Sequence, residues 1–179
     1  MKHIKKIIIV VLMLVIPALG FSYEIELTRQ LNKLVADDNT ISISMTDSGF
    51  VKVIYPAGMK RAGSYELEAN ARSMSKADQW YQYVSNQENM TNRFQLEHRL
   101  NAAKTFHKLP LFYSSEVDTV TLSVKANDQL VWELSFNNWQ ELRNFKQYLG
   151  DWELMIDTII ELEQMAKQVT VTDLLEVAQ

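Results

Sequence analysis

The chain has no cysteine. That excludes disulfides, thiolate metal ligands and a thiol nucleophile, so stability must come from packing. Histidine is nearly absent too: His3, His98 and His107 are the three. His98 and His107 fall nine residues apart on an expected helix, or 900° of rotation, which sets them on opposite faces. They cannot share a metal ion there. Glycine (five) and proline (three) are sparse, and no phosphate loop, dinucleotide fingerprint or G-x-S-x-G elbow occurs. Basic residues are the minority charge, 18 against 22 acidic, for a formal net charge of −4. A nucleic-acid binder would show a basic stripe instead.

What is present begins with an export signal. Lys2, His3, Lys5 and Lys6 precede the apolar run Ile7 to Val15. Pro17 then breaks the helix, and small residues follow at Ala18-Leu19-Gly20 or Gly20-Phe21-Ser22. This is the layout of a cleavable secretory signal peptide, and the run is short of the roughly 20 residues a spanning helix needs. Residues 1–22 are therefore expected to be removed, with the working chain starting near Phe21 or Tyr23. A lipoprotein junction needs cysteine, and a prepilin junction needs a long apolar helix after it. Here Ser22-Tyr23-Glu24-Ile25-Glu26 follows. Cleavage leaves no stable membrane anchor. It removes three of the 18 basic residues and no acid, so the formal charge moves from −4 to −7. That disfavours adhesion to anionic lipid and mainly serves solubility. The expected location is the periplasm, with secretion as the alternative.

Residues 23–179 suit one domain with a sizeable core. Leu27, Leu31, Leu34 and Val35 have helical spacing, with Asp37-Asp38-Asn39 as the stop. Ile41, Ile43 and Met45 alternate with polar residues, Asp47-Ser48-Gly49 turns, and Phe50 to Tyr55 returns. Ala57 to Gly63 reads as a flexible loop. Ser75-Lys76-Ala77-Asp78 resembles a capping box that opens a helix through Trp80, Tyr81 and Val84 to about Asn86. Leu96, Leu100, Ala103 and His107 share a helical face that Pro110 ends.

A second hairpin follows. Val120, Leu122 and Val124 face one way, Asn127-Asp128 turns, and Leu130, Trp132, Leu134 and Phe136 alternate. Asn138 is placed to cap the next helix with Glu141 as its capping-box partner. Gly150 interrupts, and Trp152, Met155, Ile156, Ile159, Leu162 and Ala166 form a long apolar stripe. The tail from Val169 reads as short and loosely attached. The expected fold is α+β: an antiparallel sheet of two hairpins, four or five strands, packed against helices, with a pseudo-repeat of hairpin–helix blocks.

No residue set specifies a reaction, a metal or a cofactor. Glu153, Asp157 and Glu161 line up at i, i+4 and i+8. They could face a cation or a basic partner, but such a line is expected to be the solvated back of an amphipathic helix. Trp80, Tyr81 and Tyr83 crowd four positions, so one ring should reach solvent. Beside the basic loop residues Lys60 and Arg61 they form the candidate contact surface of an acidic protein. The preferred reading is a non-enzymatic exported binding or accessory protein that holds another envelope protein. Two alternatives stand beside it. A carboxylate-dependent envelope hydrolase would show two facing carboxylates in a cleft. A small-ligand-binding periplasmic protein would show an apolar pocket with convergent polar groups.

Overall fold

Alternation decides where the chain becomes sheet. From Tyr23 onward every second side chain is buried: Tyr23, Ile25 and Leu27 face inward, while Glu24, Glu26 and Thr28 face out. This is the period of a half-buried strand. The segment is β1 (Tyr23–Gln30), not the helix expected there. The helical spacing drew on Leu31, Leu34 and Val35, which lie past the strand's end. The computed structural model describes residues 22–31, 39–86, 92–109 and 118–176. The expected signal peptide up to residue 21 lies outside them, as do Leu34, Val35, Asp37, Asp38, Pro110 and residues 177–179.

The sheet has six strands. β2 (Thr40–Thr46), β3 (Phe50–Tyr55), β4 (Gly63–Glu68), β5 (Thr119–Ala126) and β6 (Gln129–Phe136) join β1 in the order β4-β3-β2-β1-β5-β6. Every neighbouring pair is antiparallel. β1 lies in the middle and stitches the two expected hairpins together. Ile25 faces Met45 on one side and Val124 on the other; Leu27 faces Ile43 and Leu122. β4 occupies part of the expected loop and the residues after it. As an edge strand it half-buries only Tyr65 and Leu67 between Ser64, Glu66 and Glu68, which weakens its pattern in the sequence.

The β5–β6 hairpin turns at Asn127 and Asp128, both at positive φ (50° and 63°), as a two-residue type I′ turn requires. The register shifts beside it: Val124 faces Trp132, but Lys125 faces Leu130. Val131 is the extra residue of a bulge. Trp132, Leu134 and Phe136 therefore point inward as expected, whereas Leu130 is 58% exposed.

Among the described residues, four helices cover the apolar face. α1 (Ala71–Ser85) starts one turn before Ser75, because the Asn70 side chain accepts the N–H groups of Arg72 and Ser73, each at 3.0 Å. Ser75 thus lies inside the helix. α2 is Arg93–His107 and α3 is Trp139–Phe145, which tightens into a 3₁₀ turn over Lys146–Tyr148. The Asn138 side chain makes no cap bond, and the Glu141 carboxylate pairs with Lys104 at 2.5 Å instead of closing a capping box. Gly150, at φ 63°, breaks the chain before α4 (Trp152–Glu176). α4 runs through the expected loose tail.

The fold is α+β with a six-stranded antiparallel sheet. The two hairpin blocks are not equivalent: β2–β3 continues into β4 before α1, while β5–β6 leads directly to α3. Among the described residues, no helix is long and apolar enough to cross a membrane.

Candidate functional site

The expected aromatic and basic surface is divided between two ends of the sheet. Tyr81 stacks on Tyr23, ring centroids 4.5 Å apart, at the end where β1 starts. The Asp47 amide bonds the Tyr23 carbonyl there. Lys60 and Arg61 sit in the β3–β4 connection, at the end where Tyr55 faces Gly63. Their loop is folded on itself: the Met59 amide donates to the Pro56 carbonyl, that of Ala62 to Met59, and Tyr65 Oη to the Arg61 carbonyl. The Trp80–Tyr83 cluster therefore does not lie beside the Lys60–Arg61 loop; the ring beside that loop is Tyr65.

The aromatic triplet itself is mostly structural. Trp80 is fully buried, edge-on to Trp132 at 5.0 Å, with Tyr83 stacked on it at 5.6 Å. Tyr81 and Tyr83 are half-buried on either side. Tyr23 Oη donates to Asp78. Burial, then that bond and the charges of Asp78 and Asp47, raise the Tyr23 phenol far above its ordinary range. Burial and the Asp151 carboxylate raise Tyr83 as well.

The acidic line is not a solvated back. α1 and α4 run antiparallel, and their charges interlock. Arg72 Nε meets Glu161 at 2.8 Å, and Lys76 Nζ meets Asp157 at 3.1 Å. The small side chains Ser73 and Ala77 are buried between them. Glu161 is nearly buried and also accepts from Ser73 Oγ at 3.2 Å. Lys146 reaches Asp157 at 2.5 Å and Glu153 at 3.9 Å. Burial alone would raise Asp157, but Lys146 and Lys76 outweigh it and hold the carboxyl below its ordinary value. A general acid needs the opposite shift. The groove beside this seam, lined by Lys76, Gln79, Tyr83, Asp151, Glu153 and Asp157, thus has its carboxylates committed to cations and to a phenol.

α2 carries two phenylalanines that, among the described residues, lie outside the core. Its Asn92–Gln95 capping box is complete, and Lys108 ends it in a left-handed turn at φ 50°. Leu96, Leu100 and Ala103 pack inward, and Lys104 ties the helix to Glu141 of α3. His107 stacks on Tyr148 at 4.2 Å. Away from the inward face, Phe94 is 77% and Phe106 83% exposed, twelve residues and so about 120° apart around the helix. His98 stacks on Phe94 at 6.4 Å, and His98, Asn101, Ala102, Thr105 and Phe106 line a shallow groove. The two histidines take different sides of the helix, as their spacing requires. In sequence, Phe94 and Phe106 are off the Leu96–Leu100–Ala103 face, which is the signal that marks them as outward.

A second concavity lies between sheet and helices at the opposite end from Trp80. It is a half-open concavity of about 190 Å³. Leu27, Ile41 and Ile43 form its floor, with Tyr55 and Trp139 as aromatic walls. Tyr55 Oη donates to the Ala166 carbonyl at 3.0 Å, which fixes the wall to α4. Arg29, Arg143, Lys167 and Glu163 line its mouth.

Comparison with known proteins adds no assignment: no family model, no curated protein and no solved structure matches the chain.

Proposed function

We propose that this chain is an exported, non-enzymatic binding protein of the cell envelope, periplasmic or secreted after loss of its N-terminal signal segment, which holds a partner protein on the outer face of α2. The observation that supports this is the pair Phe94 and Phe106, 77% and 83% exposed about 120° apart on the solvent side of a helix whose inner side is clamped. Fully burying a phenylalanine is worth about 1.5–3 kcal/mol, and neither ring realises that gain in the monomer. Rings held on a rigid helix are suited to act as anchors. Charge indicates what covers them. Residues 93–108 carry Arg93, Arg99, Lys104 and Lys108 against the single acid Glu97, in a chain whose formal charge is −4. A second copy docked through the same helix would bring like charge to it. An amphipathic segment with acidic residues around its apolar side matches it.

The test replaces Phe94, Phe106 or, as a control on the open sheet face, Glu133 with a photo-crosslinking residue in the producing cell. Adducts of one mass from positions 94 and 106 and none from 133 are expected, and Phe94→Ser/Phe106→Ser should lose the partner while melting like the parent. A double variant that still captures the partner overturns the α2 assignment. If capture is instead lost in Lys60→Ala/Arg61→Ala/Tyr81→Ala, the loop and the aromatic triplet become the site. Binding of mature protein to anionic vesicles, abolished by the phenylalanine variant, would replace the protein partner with a membrane surface.

A further inference from the structure

We infer that the cavity under α3 and α4 is a binding site for a small organic anion with a compact apolar body, of the size and kind of an aryl carboxylate. This is independent of the α2 reading and concerns a different part of the molecule.

Size sets the first limit. A cavity of 150 Å³ lined by aliphatic and aromatic side chains is enough to hold benzene, so about 190 Å³ holds one ring with a small substituent, and any longer part of a ligand must extend out through the opening. The lining sets the second. Ile41 and Ile43 offer an apolar floor, while Tyr55 and Trp139 present aromatic surface. An uncharged polar ligand would find few partners deep inside, whereas a ring gains from desolvation and from stacking.

Charge at the mouth decides the rest. Three cations and one carboxylate line it. Arg29 is already engaged: its guanidinium meets Asp118 at 2.7 Å and Glu163 at 3.7 Å. Asp118 and Glu163 share that one cation, so with Arg143 and Lys167 the mouth keeps an excess of one positive charge. Arg143 and Lys167 are exposed and, among the described residues, form no ion pair. They come from two helices, with Arg143 one turn after Trp139 on α3 and Lys167 beside Ala166 on α4. Both are long enough to swing over the opening. The net result is an apolar chamber with two uncommitted cations at its door, which favours a monoanion whose charge stays at the rim while its body goes in. An amine of the same shape would meet repulsion.

The test is a titration of the full mature protein with benzoate, benzyl alcohol, benzylamine and acetate, followed by amide and indole NMR shifts. Benzoate at millimolar concentration is expected to shift Leu27, Ile41, Tyr55, Ala166 and the Trp139 indole. Benzyl alcohol should bind more weakly at the same residues, and benzylamine and acetate should not bind. Arg143→Ala/Lys167→Ala removes only exposed side chains and should weaken benzoate about tenfold, the worth of one charge-assisted bond, while leaving benzyl alcohol unchanged. Ala166→Leu fills the chamber and should abolish both. Equal affinity for benzoate and benzylamine, acetate binding as well as benzoate, or no cavity shift with any compound in a protein that melts normally would each overturn the inference.

Discussion

The seam between α1 and α4 allows a test of what holds the helix layer together. Glu161 has 8% of its side chain exposed, while its partner Arg72 has 78%. The two ends of one ion pair therefore sit in different dielectric surroundings, and deleting them has unequal consequences. Removing Arg72 leaves a buried carboxylate with only the 3.2 Å bond from Ser73 Oγ. Removing the charge of Glu161 leaves a guanidinium that water already solvates. A charge-assisted bond is worth about 1.5–3 kcal/mol, and the exposed half of this pair discounts that figure. Arg72→Ala is thus expected to cost about 1–2 kcal/mol, or roughly 2–8 °C in Tm for a domain of this size. Glu161→Gln should cost less than about 1 kcal/mol, because an acceptor oxygen remains. Glu161→Met, which deletes the buried charge and keeps the volume, should partly rescue Arg72→Ala, since an apolar group needs no counter-ion. Urea unfolding followed by tryptophan emission provides the assay, as all four tryptophans are buried. If Arg72→Ala melts like the parent, or if Glu161→Met makes it worse, the carboxylate is solvated and the seam is ordinary surface chemistry.

Three other expectations follow from the same packing. Trp132→Ala should cost about 3–5 kcal/mol by emptying a site beside Trp80, and Glu133→Ala on the open face less than about 0.5 kcal/mol; equal urea midpoints would mean that the β6 register is wrong. Tyr23 keeps its proton in the fold to a higher pH than an unfolded tyrosine does, so its contribution is whole below the ordinary tyrosine pKa of about 10 and is lost as pH rises past it. Stability should begin to fall near pH 10 and keep falling above it, and Tyr23→Phe should flatten that fall; an unchanged alkaline limb would show that the phenol is not coupled to folding. Finally, the Ser22 carbonyl accepts the Asn127 amide at 2.9 Å, so cleavage after Gly20, which retains Ser22, suits the hairpin better than cleavage after Ser22. The intact mass of the exported protein should match a start at Phe21, and a start at Tyr23 would refute this.

The parts of the fold that the sequence made legible are those whose pattern is complete within one element. Val120, Leu122, Val124 and Trp132, Leu134, Phe136 each repeat a period of two between strong turn residues, and both strands form as expected. Trp152 to Ala166 repeats a helical stripe without interruption, and every member of it is buried. β1 was misread because its inward residues, Ile25 and Leu27, are continued by Leu31, Leu34 and Val35 at helical intervals; only pairing with both β2 and β5 settles the competition. β4 was missed because an edge strand buries one side poorly, and Leu130 was misdirected by a bulge that no local pattern announces.

The candidate site was harder to read for a related reason. Sequence patterns report what a helix buries against its own chain, and they treat the remaining face as solvent. The acidic stripe of α4 reads as solvated in the sequence because two of its three cationic partners, Arg72 and Lys76, lie more than 80 residues away. Their i, i+4 spacing mirrors that of Glu161 and Asp157, but nothing local indicates that the two helices meet. Phe94 and Phe106 present the reverse case. They lie off the buried face of α2, and in sequence they look like stray apolar residues in a weakly amphipathic segment. Their meaning appears only once the capping box and the Lys104–Glu141 pair show that α2 is fixed, so that the rings cannot turn inward. The cavity needs even more assembly, since its floor, walls and mouth come from β1, β2, β3, α3 and α4. Long-range closure is therefore what creates both candidate surfaces of this molecule, and the local motifs that look most chemical, the carboxylate line and the Trp80 to Tyr83 cluster, are consumed in making it.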